Sequence, residues 1–124
     1  MKINIAKSAG FCFGVKRAVD TVYKESSKKN VYTFGPIIHN DEVVADLERQ
    51  GVHVINDSKE FKSLSEGTII IRSHGVSKAI YDEILNAGLD LVDATCPFVR
   101  KIHKIVERES GDGRVIIIIG NNHH

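Results

Sequence analysis

The sequence predicts an α/β protein: an open, mainly parallel sheet with helices on both faces. Three observations carry that prediction. Strand-like and helix-like stretches alternate along the chain, the pattern of parallel strands joined by helical crossovers. Two runs, Ile69-Ile70-Ile71 and residues 115–119, are apolar without period-two alternation, as strands buried on both faces are. And one short pattern occurs twice: Cys12-Phe13-Gly14-Val15-Lys16-Arg17-Ala18 and Cys96-Pro97-Phe98-Val99-Arg100-Lys101-Ile102. Each copy has a cysteine, two residues, a valine, two basic residues and a small or apolar one, and each opens a helix.

Taken in order, residues 2–6 read as a short strand with Ile3 and Ile5 on one side, and 7–13 as a loop. Residues 14–27 read as a helix with Val15, Ala18, Val19, Val22 and Tyr23 on its buried face. A second strand, 31–34, leads through the loop 35–39 to a helix capped by Asn40 and running to Gln50. Gly51 follows, where a left-handed residue commonly ends a helix. Residues 52–55 are the third strand. Asp57 with Glu60 forms a capping-box pattern over a short helix carrying Phe61 and Leu64. The fourth strand is 68–72, followed by Ser73-His74-Gly75. Ser77 caps a helix with Ile80, Ile84 and Leu85 inward, stopped by Gly88. Residues 89–92 are the fifth strand. The helix after Cys96 has Pro97 at its first position, where the missing N–H costs nothing. It runs to about Glu109 with Val99, Ile102, Ile105 and Val106 on one face. After the turn 110–113, residues 115–119 form a sixth strand.

A chain of 124 residues makes one domain or one and part of another. The sixth strand needs cover on both faces, and as an edge it would be an aggregation hazard. The expected organisation is therefore a first α/β domain over residues 1–93 and the truncated start of a second over 94–124. With 42% hydrophobic and 27% charged residues the chain is globular. A net charge of +1 gives no electrostatic case for nucleic acid or an acidic membrane surface. No run is long enough to span a bilayer and the N-terminus lacks the apolar core of a signal peptide, so a cytoplasmic location is expected. In that compartment two cysteines suit metal or redox chemistry better than a structural disulfide.

Ligands of open α/β sheets bind beyond the carboxyl ends of the strands. Cys12, His39, His74, Cys96 and His124 all fall in loops after strands. Alone, a cysteine reads as a small buried hydrophobe, His39 as a neighbour of a helix cap and His74 as a turn residue. Together on one edge they read as a site. A sulfur at a helix N-terminus faces partial positive charge, which suits the thiolate that binds metals. Histidines with helix N–H groups suit phosphate or diphosphate. His53 and His103 keep a structural reading. His123 and His124 also fit the stub of a purification tag. Two cysteines alone do not supply the usual four thiolates of a cubane cluster.

Four blocks in order resemble the hydroxymethylbutenyl diphosphate reductase (LytB) family: Ala9-Gly10-Phe11-Cys12-Phe13-Gly14-Val15-Lys16-Arg17-Ala18, Gly35-Pro36-Ile37-Ile38-His39-Asn40, Arg72-Ser73-His74-Gly75-Val76 and Asp93-Ala94-Thr95-Cys96-Pro97-Phe98-Val99. The resemblance implies the first of three similar domains plus the start of the second, and a 4Fe-4S cluster held by three cysteines, of which Cys12 and Cys96 are two. It implies diphosphate contacts at His39, His74 and His124. It also implies reductive loss of the allylic hydroxyl of 4-hydroxy-3-methylbut-2-enyl diphosphate to give isopentenyl and dimethylallyl diphosphate, with electrons from a donor such as ferredoxin or flavodoxin. The family's third cysteine and catalytic Glu have no counterpart among these residues, so this piece alone is expected to be inactive. The rival is a zinc module with Cys12, His39, His74 and Cys96 as ligands and no catalysis.

Overall fold

A computed structural model describes residues 1–119. In order, helix α1 (Phe13–Glu25), strand β1 (Val31–Phe34), helix α2 (Asp41–Arg49), strand β2 (Val52–Ile55), a 3-10 helix (Ser58–Ser63), strand β3 (Thr68–Ile71), helix α3 (Lys78–Asn86), strand β4 (Asp90–Asp93) and helix α4 (Pro97–Gly111) follow one another. The strands form one parallel sheet in the order β2-β1-β3-β4. Val31 pairs with Val52 on one side and Thr68 on the other, and Thr68 pairs in turn with Asp90.

The sheet is covered on both faces. On one side Ala18, Val19 and Val22 of α1 and Leu47 of α2 pack over Val31, Val52 and Ile70. On the other Phe61 of the 3-10 helix and Ile84 of α3 pack over Ile55, Ile69 and Ile71. The Ile69-Ile70-Ile71 run is thereby explained. Ile70 points into the first core and its neighbours into the second, and all three are fully buried. Local signals hold where expected. Asn40 accepts from the Val43 N–H at 3.0 Å, the Asp57–Glu60 capping box forms, and Gly51 follows α2 with φ +85°.

Several expectations fail. Residues 2–6 and 115–119 are not strands. Ile3, Ile5, Val115, Ile117, Ile118 and Ile119 are all exposed. Apolar β-branched sequence fits a strand, but a strand also needs an edge to pair with, and among the described residues neither segment joins β2 or β4. Leu85 lies outward, because α3 turns Ile84 into the core and the next residue is about 100° further round. Tyr23 is at the rim, its ring beside α1 and its hydroxyl donating to Asp46 of α2 at 2.7 Å. On α4, Val99 and Val106 are half-buried, but Ile102 and Ile105 are exposed and no residue of that helix is fully buried. The strand expected at 89–92 begins one residue later, with Leu89 buried just before it.

Candidate functional site

A parallel sheet sends all its post-strand loops to one edge. There Gly35 follows β1, Ser73 and His74 follow β3, and Cys96 follows β4. Cys12 reaches the same neighbourhood without a preceding strand, as the N-cap of α1. Cys96 is the N-cap of α4, with Pro97 at its first position. The two copies of the repeated pattern are therefore built alike. Each cysteine is extended in backbone (φ −62°, ψ 162° and φ −56°, ψ 131°). Each accepts at its carbonyl from the residue four positions on, Lys16 and Arg100, at 2.9 Å. Neither side chain caps its own helix, so both sulfurs are left for other partners.

The two helix starts meet. A side-chain carbon on Gly14 would lie 2.5 Å from Cys96 Sγ and 2.9 Å from its Cβ, so Gly14 is the space in which Cys96 sits. Phe13 and Phe98, the residues beside them, form an edge-on ring pair with centroids 6.5 Å apart. Cys12 is exposed and Cys96 half-buried, and both are free thiols.

His39 and His74 line one small cleft of about 100 Å³ with Val15, Ile38, Arg72 and Ser73. Gly35, at φ +72°, allows the Arg72 guanidinium to lie against it: a Cβ there would be 3.2 Å from Arg72 Nη1. Arg72 opens one of the four blocks quoted above, but its residue type at a strand end gives it no role there. Next to the two histidines it adds the donor geometry that suits a phosphate group. His74 also lines a larger, mainly apolar cleft of about 840 Å³ between α3 and α4, with Gly75, Val76, Tyr81, His103 and Val106. His103, expected to be structural, reaches over Gly75, whose Cβ would meet its Cε1 at 2.8 Å. His124 lies outside the described residues. Among the described residues no group of three or more Cys, His, Asp or Glu side chains is gathered to hold a metal ion. No described helix is long and apolar enough to cross a membrane.

Asp93 anchors the turn before Cys96. Its Oδ1 accepts from the Thr95 N–H at 2.8 Å and its Oδ2 from Arg100 Nη2 at 2.7 Å. Burial draws the carboxyl pKa upward. Acceptance from the Thr95 N–H, the nearness of the Thr95 and Tyr81 hydroxyls and the Arg100 charge outweigh it, and the group titrates below its ordinary 3.8. Burial, and donation to Asp93, push Tyr81 up to about 12. A carboxyl depressed on folding stabilises the fold above its unfolded pKa, and that stabilisation is lost as pH falls through the lower, folded value. Asp93→Asn is thus expected to lower the urea midpoint at pH 6 and to narrow its deficit against the unmodified chain at pH 3.

With this geometry established, three comparisons bear on it. The family model described as LytB protein matches residues 3–124. A 4-hydroxy-3-methylbut-2-enyl diphosphate reductase of Thermoanaerobacter pseudethanolicus is 51% identical over 128 aligned positions that take in the whole chain and 44% of the relative. That of Clostridioides difficile is 44% identical, again over the whole chain and 44% of the relative. Among solved structures, the E-1-hydroxy-2-methyl-but-2-enyl-4-diphosphate reductase of Plasmodium falciparum superposes with a TM-score of 0.86 at 34% identity, over 95% of this chain and 37% of that one. A second reductase structure, described as the terminal enzyme of the non-mevalonate pathway, gives 0.83 at 38% identity, over 98% and 43%. The chain spans less than half the length of the curated relatives it matches.

Proposed function

Since the chain belongs to the LytB family, we propose that it is the N-terminal part of an iron–sulfur reductase acting on 4-hydroxy-3-methylbut-2-enyl diphosphate. It comprises a first α/β domain, residues 1–93, and the beginning of a second, residues 94–124. The observation that carries this reading is the seating of Cys96 on Gly14, which brings two cysteine-capped helix starts together beside the histidine loops.

The residues fit a thiolate-held cluster as far as they go. The donors are sulfurs, which soft iron–sulfur centres take, and the bare Gly14 lets Cys96 sit against the helix start that Cys12 caps. The sequence contains two cysteines, so the chain supplies Cys12 and Cys96 and no third thiolate. Bound there, a 4Fe-4S cluster would supply electrons and a Lewis-acidic iron for the substrate hydroxyl. The chain's own residues do the rest of the work at this edge. His39, His74 and Arg72 receive the diphosphate. His124 is proposed as a further contact. Arg72 meets the charge with a planar, permanently protonated donor. Overall, substrate takes two electrons and two protons and leaves as isopentenyl or dimethylallyl diphosphate and water. An electron donor of the ferredoxin or flavodoxin type supplies the electrons. The 124-residue chain by itself is proposed to have no turnover, because two thiolates do not complete the three-cysteine donor set.

The test uses the product of the whole reading frame containing these residues, prepared anaerobically. Iron with equimolar sulfide is expected, together with turnover to both isoprenoid diphosphates. Cys96→Ser is expected to lose the cluster absorbance. His74→Asn should retain it while KM rises by about ten- to a hundredfold, the loss of one charge-assisted hydrogen bond. Zinc without sulfide, or an unchanged cluster in Cys96→Ser, would overturn the proposal.

A further inference from the structure

The turn that presents Cys96 is held from several sides. Its backbone is tied to β3 and the loop after it, the Ala94 N–H donating to Ile71 O at 3.0 Å and the Cys96 N–H to Ser73 O at 2.9 Å. Asp93 grips the Thr95 N–H from below and is itself fixed by Arg100 from the first turn of α4. The remaining bond comes from across the molecule: Arg17 Nη1 donates to the Thr95 carbonyl at 3.1 Å, from 78 residues away. Ala94 and Thr95 are buried, so a carbonyl left there without its donor would be costly.

Arg17 stands three positions after Gly14, and residues three apart share one face of a helix. That face of α1 therefore meets the turn at two points. Gly14 provides the space for the Cys96 sulfur, and Arg17 holds the carbonyl immediately before Cys96. Cys12 caps the same helix. We propose that Arg17, with Asp93 on the opposite side of the turn, is a positioning residue for Cys96, fixing the place of its sulfur relative to the Cys12-capped start of α1. Neither residue touches substrate. Their effect passes through the turn.

The consequence for a cluster rests on the reading given under Proposed function. The seating of the thiol does not, and it is measured directly. In the folded 124-residue chain, alkylation of each cysteine by iodoacetamide is followed by peptide mass mapping, with exposed Cys12 as the internal reference. Arg17→Ala and Asp93→Ala are expected to raise the Cys96 rate about tenfold relative to Cys12, the equilibrium expected from losing a hydrogen bond to a charged group. Far-UV circular dichroism should be unchanged. Arg17→Lys, which keeps a cationic donor, should restore most of the protection. A role in general stability would instead raise the Cys96 rate only in step with a lowered urea midpoint, with Arg17→Lys protecting no better than Arg17→Ala.

An unchanged Cys96-to-Cys12 ratio in both alanine variants, or a rise that only tracks a lowered urea midpoint, would overturn the proposal whatever metal the whole protein binds. A shifted ratio with Lys rescue would support it even if that protein contained no iron, in which case only the reductase reading would fall.

Discussion

Gly14→Val is expected to cost the proposed reductase about two orders of magnitude in kcat/KM while leaving the sheet intact. A Cβ at position 14 already falls 2.5 Å from Cys96 Sγ, and valine adds two methyl groups in the same direction. One of the two must yield. The near neighbour is a short cysteine side chain on a turn tied by backbone bonds to Ile71 and Ser73, so it has little freedom to swing away. A displacement of about 1 Å at a reacting centre is enough for a loss of this size. Overpacking of this kind costs about 1–3 kcal/mol of stability. Steady-state turnover and a thermal melt, taken on the same preparation, check the prediction. A melt that collapses along with activity would mean that the glycine serves the fold rather than the sulfur.

Phe61→Ala is expected to remove about 3–5 kcal/mol of stability, the usual cost of deleting a fully buried aromatic side chain. Phe61 is 1% exposed, with its ring 5.3 Å from that of Phe34 at 53°. It is the main apolar side chain that the 3-10 helix contributes to the core on the α3 side. Domains of this size carry a total of about 5–15 kcal/mol, so the variant stands near the unfolding threshold. Urea unfolding measures it, and Leu85→Ala is the control. Leu85 is 59% exposed and should change the midpoint little. If instead Leu85→Ala cost as much as Phe61→Ala, α3 would have to sit rotated from the orientation described here.

These variants also mark how far the sequence could be read. The interior of the sheet was legible because its residues answer to burial alone. Three consecutive isoleucines with no alternation have one natural home, a strand covered on both faces. Asn40, Asp57 and Glu60 were legible because helix caps depend on neighbours within a turn. The segments 2–6 and 115–119 misled for the opposite reason. Their side chains suit a strand, but pairing requires a partner edge, which local pattern does not specify. The same division runs through the site. Cys12, Cys96, His39 and His74 stood out because loop position and residue type mark them. Arg17 and Arg72 lie inside quoted motifs but carry no role there, since each matters through an atom far away in sequence. Asp93 was quoted within a motif, but its grip on Thr95 and Arg100 became visible only in the folded turn.

The contact between the start of α1 and the turn before α4 also has a kinetic side. Arg17 and Thr95 are 78 residues apart, and between them lie all four strands, of which β1, β3 and β4 must be paired before the turn has a fixed place. Contacts of such long sequence separation form only after a large loop has been closed, and parallel strand pairing is slow for the same reason. The two cysteine-capped helix starts thus come together at the end of folding. During synthesis Cys12 emerges first and waits unpartnered through the making of nearly the whole sheet, so oxidative damage to a nascent chain should fall first on Cys12, well before Cys96 exists to be harmed.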